Sequence, residues 1–256
     1  MLKCKYCGHL NEPIFKYCIK CGRELPRGEE SKRAEAERRP GFYLYPIRPD
    51  GKVGSPFSLK EGSNRIGKAG DAEISFADDP WIAPVHSIIE IKDDMAVLSD
   101  AGSRYGTYVR IRGERSLGNG EYFRIGYALF KLELPWPEPV IGPDDTPWLG
   151  TPAYDDQVFG RVVRVGVEDT EIAAYLLTKL SVKIGRKEGK IRLSNDPIVS
   201  GIHAEILPST KEKVILRDLG SLNGTYYRLS ARYQLSDGDY LLIGGKLVLF
   251  RRIMEG

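Results

Sequence analysis

The stretch of sequence that decides the fold runs from Gly220 to Tyr226 and reads GSLNGTY. A second stretch, Gly102–Tyr108, lies 118 residues earlier and reads GSRYGTY. The same relation links Ile66-Gly67 with Ile184-Gly185, Gly126 with Gly244 and, after a one-residue insertion, His86 with His203. This period is too long for a solenoid repeat, so it indicates a duplicated domain of roughly 100 residues. We call residues 41–134 the first copy and residues 160–256 the second copy.

Length and charge set broad limits on the class of protein. The 256 residues suffice for two domains and a small appendage, and a net charge of +3 is too small to indicate nucleic-acid binding by itself. No apolar run approaches the roughly 18 residues of a membrane helix, and the first residues lack the apolar core of a signal peptide. We therefore expect a cytoplasmic protein.

The cysteines form two Cys-x-x-Cys-Gly turns at the start of the chain. They are Cys4, Cys7, Cys18 and Cys21. Two such turns can enclose one zinc ion with four thiolates, while disulfides or a redox pair are the alternatives. Because so short a segment cannot bury a core, we expect residues 1–22 to fold around zinc. This segment resembles the short zinc ribbons at the N-termini of many prokaryotic regulatory proteins.

Two segments have the composition of linkers. Residues 23–40 alternate Glu, Lys and Arg, which predicts a charged tether. Residues 135–159 contain six prolines and five acidic residues, which predicts an extended, semi-stiff spacer. The spacer carries Thr146 and Thr151, each followed by proline. If a kinase modified either threonine, the second copy could capture it; otherwise both are plain linker residues.

Both copies alternate apolar and polar residues in short runs bounded by turn residues. Examples in the second copy are Val214–Leu216 and Tyr240–Ile243. A turn about every ten residues, with few helical periods, is typical of an antiparallel β-sandwich. The sequence therefore predicts an all-β chain with two antiparallel β-sandwiches in tandem, and loops at one end of each sandwich carry the function.

The second copy contains an ordered array of motif residues. They are Gly185, Arg186, Ser200, Gly201, His203, Ser221, Leu222, Asn223, Gly224 and Thr225. The array resembles the forkhead-associated (FHA) domain, a β-sandwich that binds phosphothreonine peptides, and the likeness covers residues 160–253. The resemblance implies that Arg186 and Ser200 bind phosphate and that Asn223 hydrogen-bonds the peptide backbone. Gly201 and Leu222 occupy the remaining peptide-binding positions, and the other residues shape the loops.

The chemistry of these residues agrees with the resemblance. A phosphothreonine carries a charge of roughly −1.5 to −2 and three strong acceptor oxygens. Arg186 offers a planar fork that is always charged, and Ser200 offers an O–H donor. Each residue taken singly could be a surface ion pair or a turn residue, but the ordered set favours binding. Gly201 and Leu222 depart from the basic and hydroxyl residues common in the family, so fewer phosphate contacts are available.

The first copy keeps the structural residues and loses the recognition residues. Lys68, Ala83, Pro84 and Tyr105 stand where the second copy has Arg186, Ser200, Gly201 and Asn223. A hydroxyl and a carboxamide are gone, and a point charge replaces the fork, so we expect no phosphothreonine binding. The aromatic residues Trp81, Tyr105 and Tyr108 predict a protein-protein or homodimer surface instead, with a plain spacer as the alternative.

No group of residues indicates catalysis. The chain has three histidines, and it contains no phosphate-cradling glycine loop and no nucleophile paired with a base. We expect a non-catalytic adaptor that recruits a threonine-phosphorylated partner. The alternatives are a regulator whose zinc ribbon contacts nucleic acid through Lys5 and Lys20, and a phosphate-independent assembly module.

Overall fold

The computed structural model describes residues 2–11, 20, 25, 40–137, 141–144 and 157–254. Cys18, Cys21, Thr146 and Thr151 lie outside these residues, so the complete zinc ribbon and the linker threonines stay predictions. The described part of the chain contains no helix long and apolar enough to cross a membrane. A short 3-10 helix spans Val167–Asp169.

Residues 2–11 form a small hairpin. Strands β1 (Leu2–Lys3) and β2 (Leu10–Asn11) pair antiparallel and flank the first pair of cysteines. The Cys4 N–H donates to the His9 carbonyl at 2.9 Å, and Gly8 adopts a φ of 70°. Cys4 is only 1% exposed. The first Cys-x-x-Cys-Gly segment is therefore a tight turn between two strands.

The larger part of the structure consists of β-strands. Those of the first copy are β3 (Pro40–Ile47), β4 (Phe57–Leu59), β5 (Gly62–Gly67), β6 (Ile74–Ser75), β7 (Ser87–Lys92), β8 (Met95–Asp100), β9 (Thr107–Arg110), β10 (Glu114–Gly118), β11 (Tyr122–Ile125) and β12 (Ala128–Glu133). Those of the second copy are β13 (Val158–Val165), β14 (Glu171–Thr178), β15 (Val182–Gly185), β16 (Ile191–Arg192), β17 (Ala204–Pro208), β18 (Lys213–Asp218), β19 (Thr225–Arg228), β20 (Tyr233–Gln234), β21 (Tyr240–Ile243) and β22 (Lys246–Met254).

These strands form three sheets. One has ten strands in the order β14-β13-β12-β11-β19-β9-β21-β22-β3-β4. The other two have five strands each, in the orders β10-β18-β17-β15-β16 and β20-β8-β7-β5-β6. Most pairs are antiparallel, while β5–β6 and β15–β16 are parallel. The predicted all-β architecture of antiparallel sheets is confirmed.

The two copies exchange their C-terminal halves. β10 of the first copy pairs with β18 of the second, and β11 pairs with β19. In return, β20 and β21 of the second copy pair with β8 and β9 of the first. At the centre of the long sheet β9 pairs with β19. We define lobe 1 as residues 42–110 with 233–252, and lobe 2 as residues 114–133 with 158–228.

This pairing differs from the expectation that residues 41–134 and 160–256 each close a sandwich of their own. The physical reason is the likeness of the two copies. Strand register follows the pattern of buried residues, and β9 (TYVR) and β19 (TYYR) are nearly identical. Exchange of an equivalent element between equivalent partners changes few contacts. The sequence pattern is therefore compatible with either pairing.

Alternating burial produces the core. Ile89 and Ile91 of β7 point inwards, and β12 buries Phe130 in the same alternating pattern. Phe123 of β11 stacks on Phe130 with 5.0 Å between ring centroids. Residues of all three sheets contribute to one hydrophobic core. Since apolar burial is the main stabilising contribution in folding, the exchanged strands are integral to both lobes.

Candidate functional site

The loop between β18 and β19 is built around the carboxylate of Asp218. Asp218 Oδ2 accepts hydrogen bonds from Ser221 Oγ and Thr225 Oγ1, both at 2.7 Å, and Oδ1 accepts from the Ser221 N–H at 2.8 Å. Burial raises the pKa of Asp218, but the hydrogen bonds from Ser221 and Thr225 outweigh it and keep the pKa below its usual value. Gly224 closes the loop with a φ of 84°, a conformation that favours glycine. The ionised carboxylate therefore stabilises the loop that carries Asn223.

The first copy repeats this arrangement around Asp100. Asp100 Oδ2 accepts from Ser103 Oγ at 2.7 Å and from Thr107 Oγ1 at 2.6 Å. No role was predicted for Asp100 or Asp218 from the sequence. The sequence does contain a regularity that indicates such a role, because in each copy the aspartate lies two residues before the Gly-Ser pair.

His203 connects the two loops of the second copy. Its Nδ1 accepts the Ser200 N–H at 3.2 Å, and its Nε2 lies 3.1 Å from the Gly224 carbonyl oxygen. Because Nδ1 accepts a hydrogen bond, the proton of the neutral ring is on Nε2, which donates to Gly224. Burial lowers the pKa of His203 and so favours this neutral form. His86 makes the equivalent contacts with Ala83 and Gly106, each at 3.1 Å.

Arg186 follows β15 and lies against the segment that carries Ser200. A Cβ atom on Gly185 would lie 2.3 Å from the Gly201 carbonyl oxygen, so only glycine permits this close approach. The Arg186 N–H donates to the Ser200 carbonyl at 2.9 Å, and Nε donates to the Val199 carbonyl at 3.0 Å. To the described residues the Arg186 side chain makes no other hydrogen bond. Its two terminal nitrogens are therefore available to a ligand.

Two hydrogen bonds join the segment that carries Ser200 to the loop between β18 and β19. Ser200 Oγ accepts the Leu222 N–H at 3.3 Å. Asn223 Nδ2 donates to the Ile198 carbonyl at 2.7 Å. Arg186 and Asn223 thus both bond to residues 198–200, the segment that carries Ser200, although the sequence separates Arg186 from Asn223 by 37 positions.

Gly201 and Leu222 lie at the edge of this group. The Gly201 carbonyl accepts the N–H groups of Lys187 and Glu188, both at 3.0 Å. The Lys187 side chain is exposed and comes within 3.8 Å of where a Cβ of Gly201 would be. Leu222 is 83% exposed. A second cation and an apolar side chain therefore border the group formed by Arg186, Ser200 and Asn223.

The corresponding loops of the first copy present different chemistry. The Lys68 N–H donates to the Ala83 carbonyl at 3.0 Å, so the backbone follows the same path as at Arg186. Tyr105, at the position of Asn223, packs edge-to-face on Trp81 with 5.2 Å between ring centroids. Trp81 is 52% exposed and Tyr105 is 36% exposed.

One of the predicted surface aromatics is placed differently. Tyr108 was expected beside Trp81 and Tyr105, but it is only 3% exposed and that expectation is wrong. The reason is its position in β9, which lies in the middle of the ten-stranded sheet and not in a loop. Burial also raises the pKa of Tyr108 above its usual value.

Comparison with known proteins identifies the family of both copies. The sequence profile of the FHA domain matches residues 64–126 and 182–244. No curated protein matches the chain.

Several solved structures are similar. The FHA domain of a Chlamydia trachomatis protein has a TM-score of 0.35 and 12% identity, over 82% of this chain and 96% of that chain. A structure described as an analysis of phosphothreonine-dependent FHA domain interactions has a TM-score of 0.32 and 14% identity, over 82% of this chain and 95% of that chain. Mycobacterium tuberculosis EmbR in complex with a low-affinity phosphopeptide has a TM-score of 0.26 and 23% identity, over 41% of this chain and 29% of that chain.

The two ranges matched by the family profile contain the Asp100 loop with His86 and the Asp218 loop with His203. The chain therefore contains two forkhead-associated domains in tandem along its sequence, at residues 64–126 and 182–244.

Proposed function

We propose that this protein is a non-catalytic adaptor that binds threonine-phosphorylated proteins through the second copy. The observation that carries the proposal is that Arg186 and Asn223 both bond to the loop segment that carries Ser200, which brings the three side chains together. FHA domains are generally non-catalytic binding modules, which supports a role in recruitment.

The chemistry of the three side chains fits one phosphothreonine. The terminal nitrogens of Arg186 can donate two parallel hydrogen bonds to phosphate oxygens. The Ser200 hydroxyl can donate a further bond, and Asn223 can bind the backbone of an extended peptide. Lys187 adds a cation near the same place. Because the phosphate retains roughly −1.5 to −2 charge at neutral pH, it gains more from these donors than an unmodified threonine does.

The test is peptide binding by the full chain, measured by titration calorimetry. An oriented phosphothreonine library supplies the peptide, and its dephosphorylated form should not bind. Arg186→Ala should weaken binding by about 2–5 kcal/mol, the scale for removing one side of a desolvated charged pair. Lys68→Ala, at the equivalent position of the first copy, is the matched control and should bind as tightly as the wild type. Equal binding of phosphorylated and unphosphorylated peptide would exclude the proposal.

We propose further that the first copy binds no phosphothreonine and presents a protein-contact surface. The exposed edge-to-face pair of Trp81 and Tyr105 supports this, because exposed aromatics are frequent anchors of protein interfaces. In the double variant Arg186→Ala with Asn223→Ala, phosphopeptide binding should disappear. Residual binding that is then lost with Lys68→Ala would show that the first copy binds phosphate.

For the N-terminus we propose one structural zinc ion held by Cys4, Cys7, Cys18 and Cys21. The turn between β1 and β2 fits such a site, since it brings Cys4 and Cys7 into a tight, partly buried bend. The metal would supply the folding energy of this segment. Elemental analysis should find one zinc per chain, and Cys4→Ser should lower that ratio while phosphopeptide affinity is unchanged.

A further inference from the structure

The strand exchange brings residues of the first copy into contact with two loops of the second: the loop between β16 and β17, which carries Ser200, and the loop between β18 and β19, which carries Asn223. We call these two the recognition loops. We propose that Arg110, in β9 of the first copy, is a positioning residue for the Asn223 loop, so that phosphopeptide recognition depends on both copies. This inference rests on the proposed function. It extends the site beyond the FHA motif of the second copy, because residue 110 is outside residues 182–244.

Arg110 lies directly on the loop it would support. In the β9–β19 pair it is opposite Tyr226, two residues after Gly224. Its Nη2 lies 3.4 Å from the Ser221 carbonyl oxygen, at the long end for a hydrogen bond. A Cβ atom on Gly224 would be 2.2 Å from Arg110 Nε, so the guanidinium packs flat against the glycine backbone. Its other neighbour is the Tyr240 ring, 5.5 Å from the guanidinium carbon.

These contacts restrict the loop next to Asn223. Ser221 and Gly224 are the residues on either side of the Leu222-Asn223 pair. A half-buried, planar side chain packed on Gly224 limits the movement of the backbone that presents the Asn223 carboxamide. Arg110 contacts neither Arg186 nor Ser200 among the contacts of the described residues, so its effect should be exerted through the Asn223 loop.

A second element of the first copy supports the other recognition loop. The turn between β11 and β12 places the Tyr127 N–H 2.6 Å from Asp196 Oδ2. Asp196 Oδ1 in turn accepts the Ile198 N–H at 3.1 Å, and the Ile198 carbonyl is the partner of Asn223. Gly126 is required there, because its φ is 58° and a Cβ would lie 2.3 Å from Asp196 Oδ2. Both loops are therefore supported from the first copy.

The pseudo-symmetry of the fold supplies a matched control. Arg228 of β19 makes the equivalent contacts with the first copy. Its Nη2 is 3.5 Å from the Ser103 carbonyl oxygen. A Cβ atom on Gly106 would be 2.3 Å from Arg228 Nε. Its guanidinium lies 5.4 Å from the Tyr122 ring. Arg228 thus packs on the loop that carries Tyr105, with the same geometry and no contact with Asn223.

The experiment compares Arg110→Ala with Arg228→Ala in the full chain. Titration calorimetry with a phosphothreonine peptide should show roughly tenfold weaker binding for Arg110→Ala and wild-type binding for Arg228→Ala. In the Asn223→Ala background, Arg110→Ala should weaken binding little further, because the two residues act through one loop. Combined with Arg186→Ala instead, its effect should remain close to tenfold. If Arg110 only stabilised the fold, Arg110→Ala would weaken binding equally in the Asn223→Ala and Arg186→Ala backgrounds.

A wild-type chain that does not prefer phosphorylated peptide removes the proposed function. A wild-type chain that does, with Arg110→Ala binding equally well, overturns the role of Arg110 alone. Equal losses in Arg110→Ala and Arg228→Ala would also overturn it. If alanine lowers the melting temperature, Arg110→Lys and Arg228→Lys keep the aliphatic stem and remove only the planar group, and the same difference between the two is expected.

Discussion

The loop that carries Tyr105 in the first copy and the loop that carries Asn223 in the second are built alike and present different side chains. Both have an aspartate that accepts from Ser and Thr, a buried histidine that joins two loops, and a glycine before the next strand. At the tips of the second copy Asn223 is exposed and Arg186 is half-buried, while the first copy exposes Lys68 and the Trp81–Tyr105 pair. The residues that the two copies share therefore build the loops, and the copies differ at a few positions at the loop tips.

Each of these two loops also contacts an arginine of the other copy. Arg110 packs on the Asn223 loop of the second copy, and Arg228 packs on the Tyr105 loop of the first. Neither loop is stabilised only by residues of its own copy. Substitution of Arg110 alters the support of one loop and substitution of Arg228 that of the other, so comparing the two variants measures the difference between the copies.

The largest effect should come from cutting the chain. Residues 158–256 contain the whole second copy but lack β10 to β12, including Phe123, Ile125, Phe130 and Leu132, all fully buried. At 1.5–3 kcal/mol for each side chain, about 6–12 kcal/mol of stabilisation is lost, comparable to the entire stability of a domain. We expect this fragment to be unfolded by circular dichroism.

A second fragment is the matched control for that cut. Residues 107–230 contain all strands of lobe 2 together with β9 and Arg110. They should unfold cooperatively in urea and bind the phosphothreonine peptide. A folded, peptide-binding fragment 158–256 would show that the second copy closes its own sandwich, contrary to the strand pairing described above.

A smaller effect is expected from Asp218→Ala. It leaves the donors of Ser221 and Thr225 without their acceptor, which should lower the free energy of unfolding by about 2–4 kcal/mol. Asp100→Ala should have a similar effect on stability, because its contacts are the same. Only Asp218→Ala should also weaken phosphopeptide binding, measured at a temperature where both variants are folded. Equal affinities of the two variants would contradict the assignment of recognition to the second copy.

The smallest effect concerns pH. The pKa of His203 is lower in the folded protein than its ordinary value, because the ring is buried. The unfolded chain therefore takes up the proton first, so the stabilisation is complete above about pH 6.5 and is lost as the pH falls through the folded pKa. Urea denaturation between pH 7.5 and 5 should show decreasing stability. His203→Gln should be less stable at pH 7.5 but should lose less on acidification, and an unchanged slope would refute the role of His203.

The sequence predicted the strands and turns better than the way in which the strands pair. The 118-residue repeat and the period-two burial pattern indicate strands and turns, because these depend on local residue order. The array from Gly185 to Thr225 includes Arg186 and Asn223, but their bonds to residues 198–200 join loops that are far apart in the chain. Neighbours along the chain therefore determine the strands and turns, and only the structure shows these bonds.

The exchange of strands could not be predicted in the same way. Because β9 and β19 have nearly the same residues, the local sequence pattern does not indicate which copy supplies the strand that pairs with each of them. For the same reason Arg110 was missed, since its contact lies 111 residues away in the chain. Tyr108 was expected at a loop tip, whereas it belongs to β9, a strand inside the ten-stranded sheet.

The pairing of β3 with β22 also determines when each lobe can be completed during translation. The first half of lobe 1 ends at Arg110, and its complement begins roughly 120 residues later, which at about 5–20 residues per second is a delay of roughly 6–25 s. Lobe 2 needs nothing beyond Arg228 and can close while the C-terminal strands are still being synthesised. Lobe 2 can therefore close before lobe 1, and the edge of β3 that pairs with β22 stays unpaired until β22 has been synthesised.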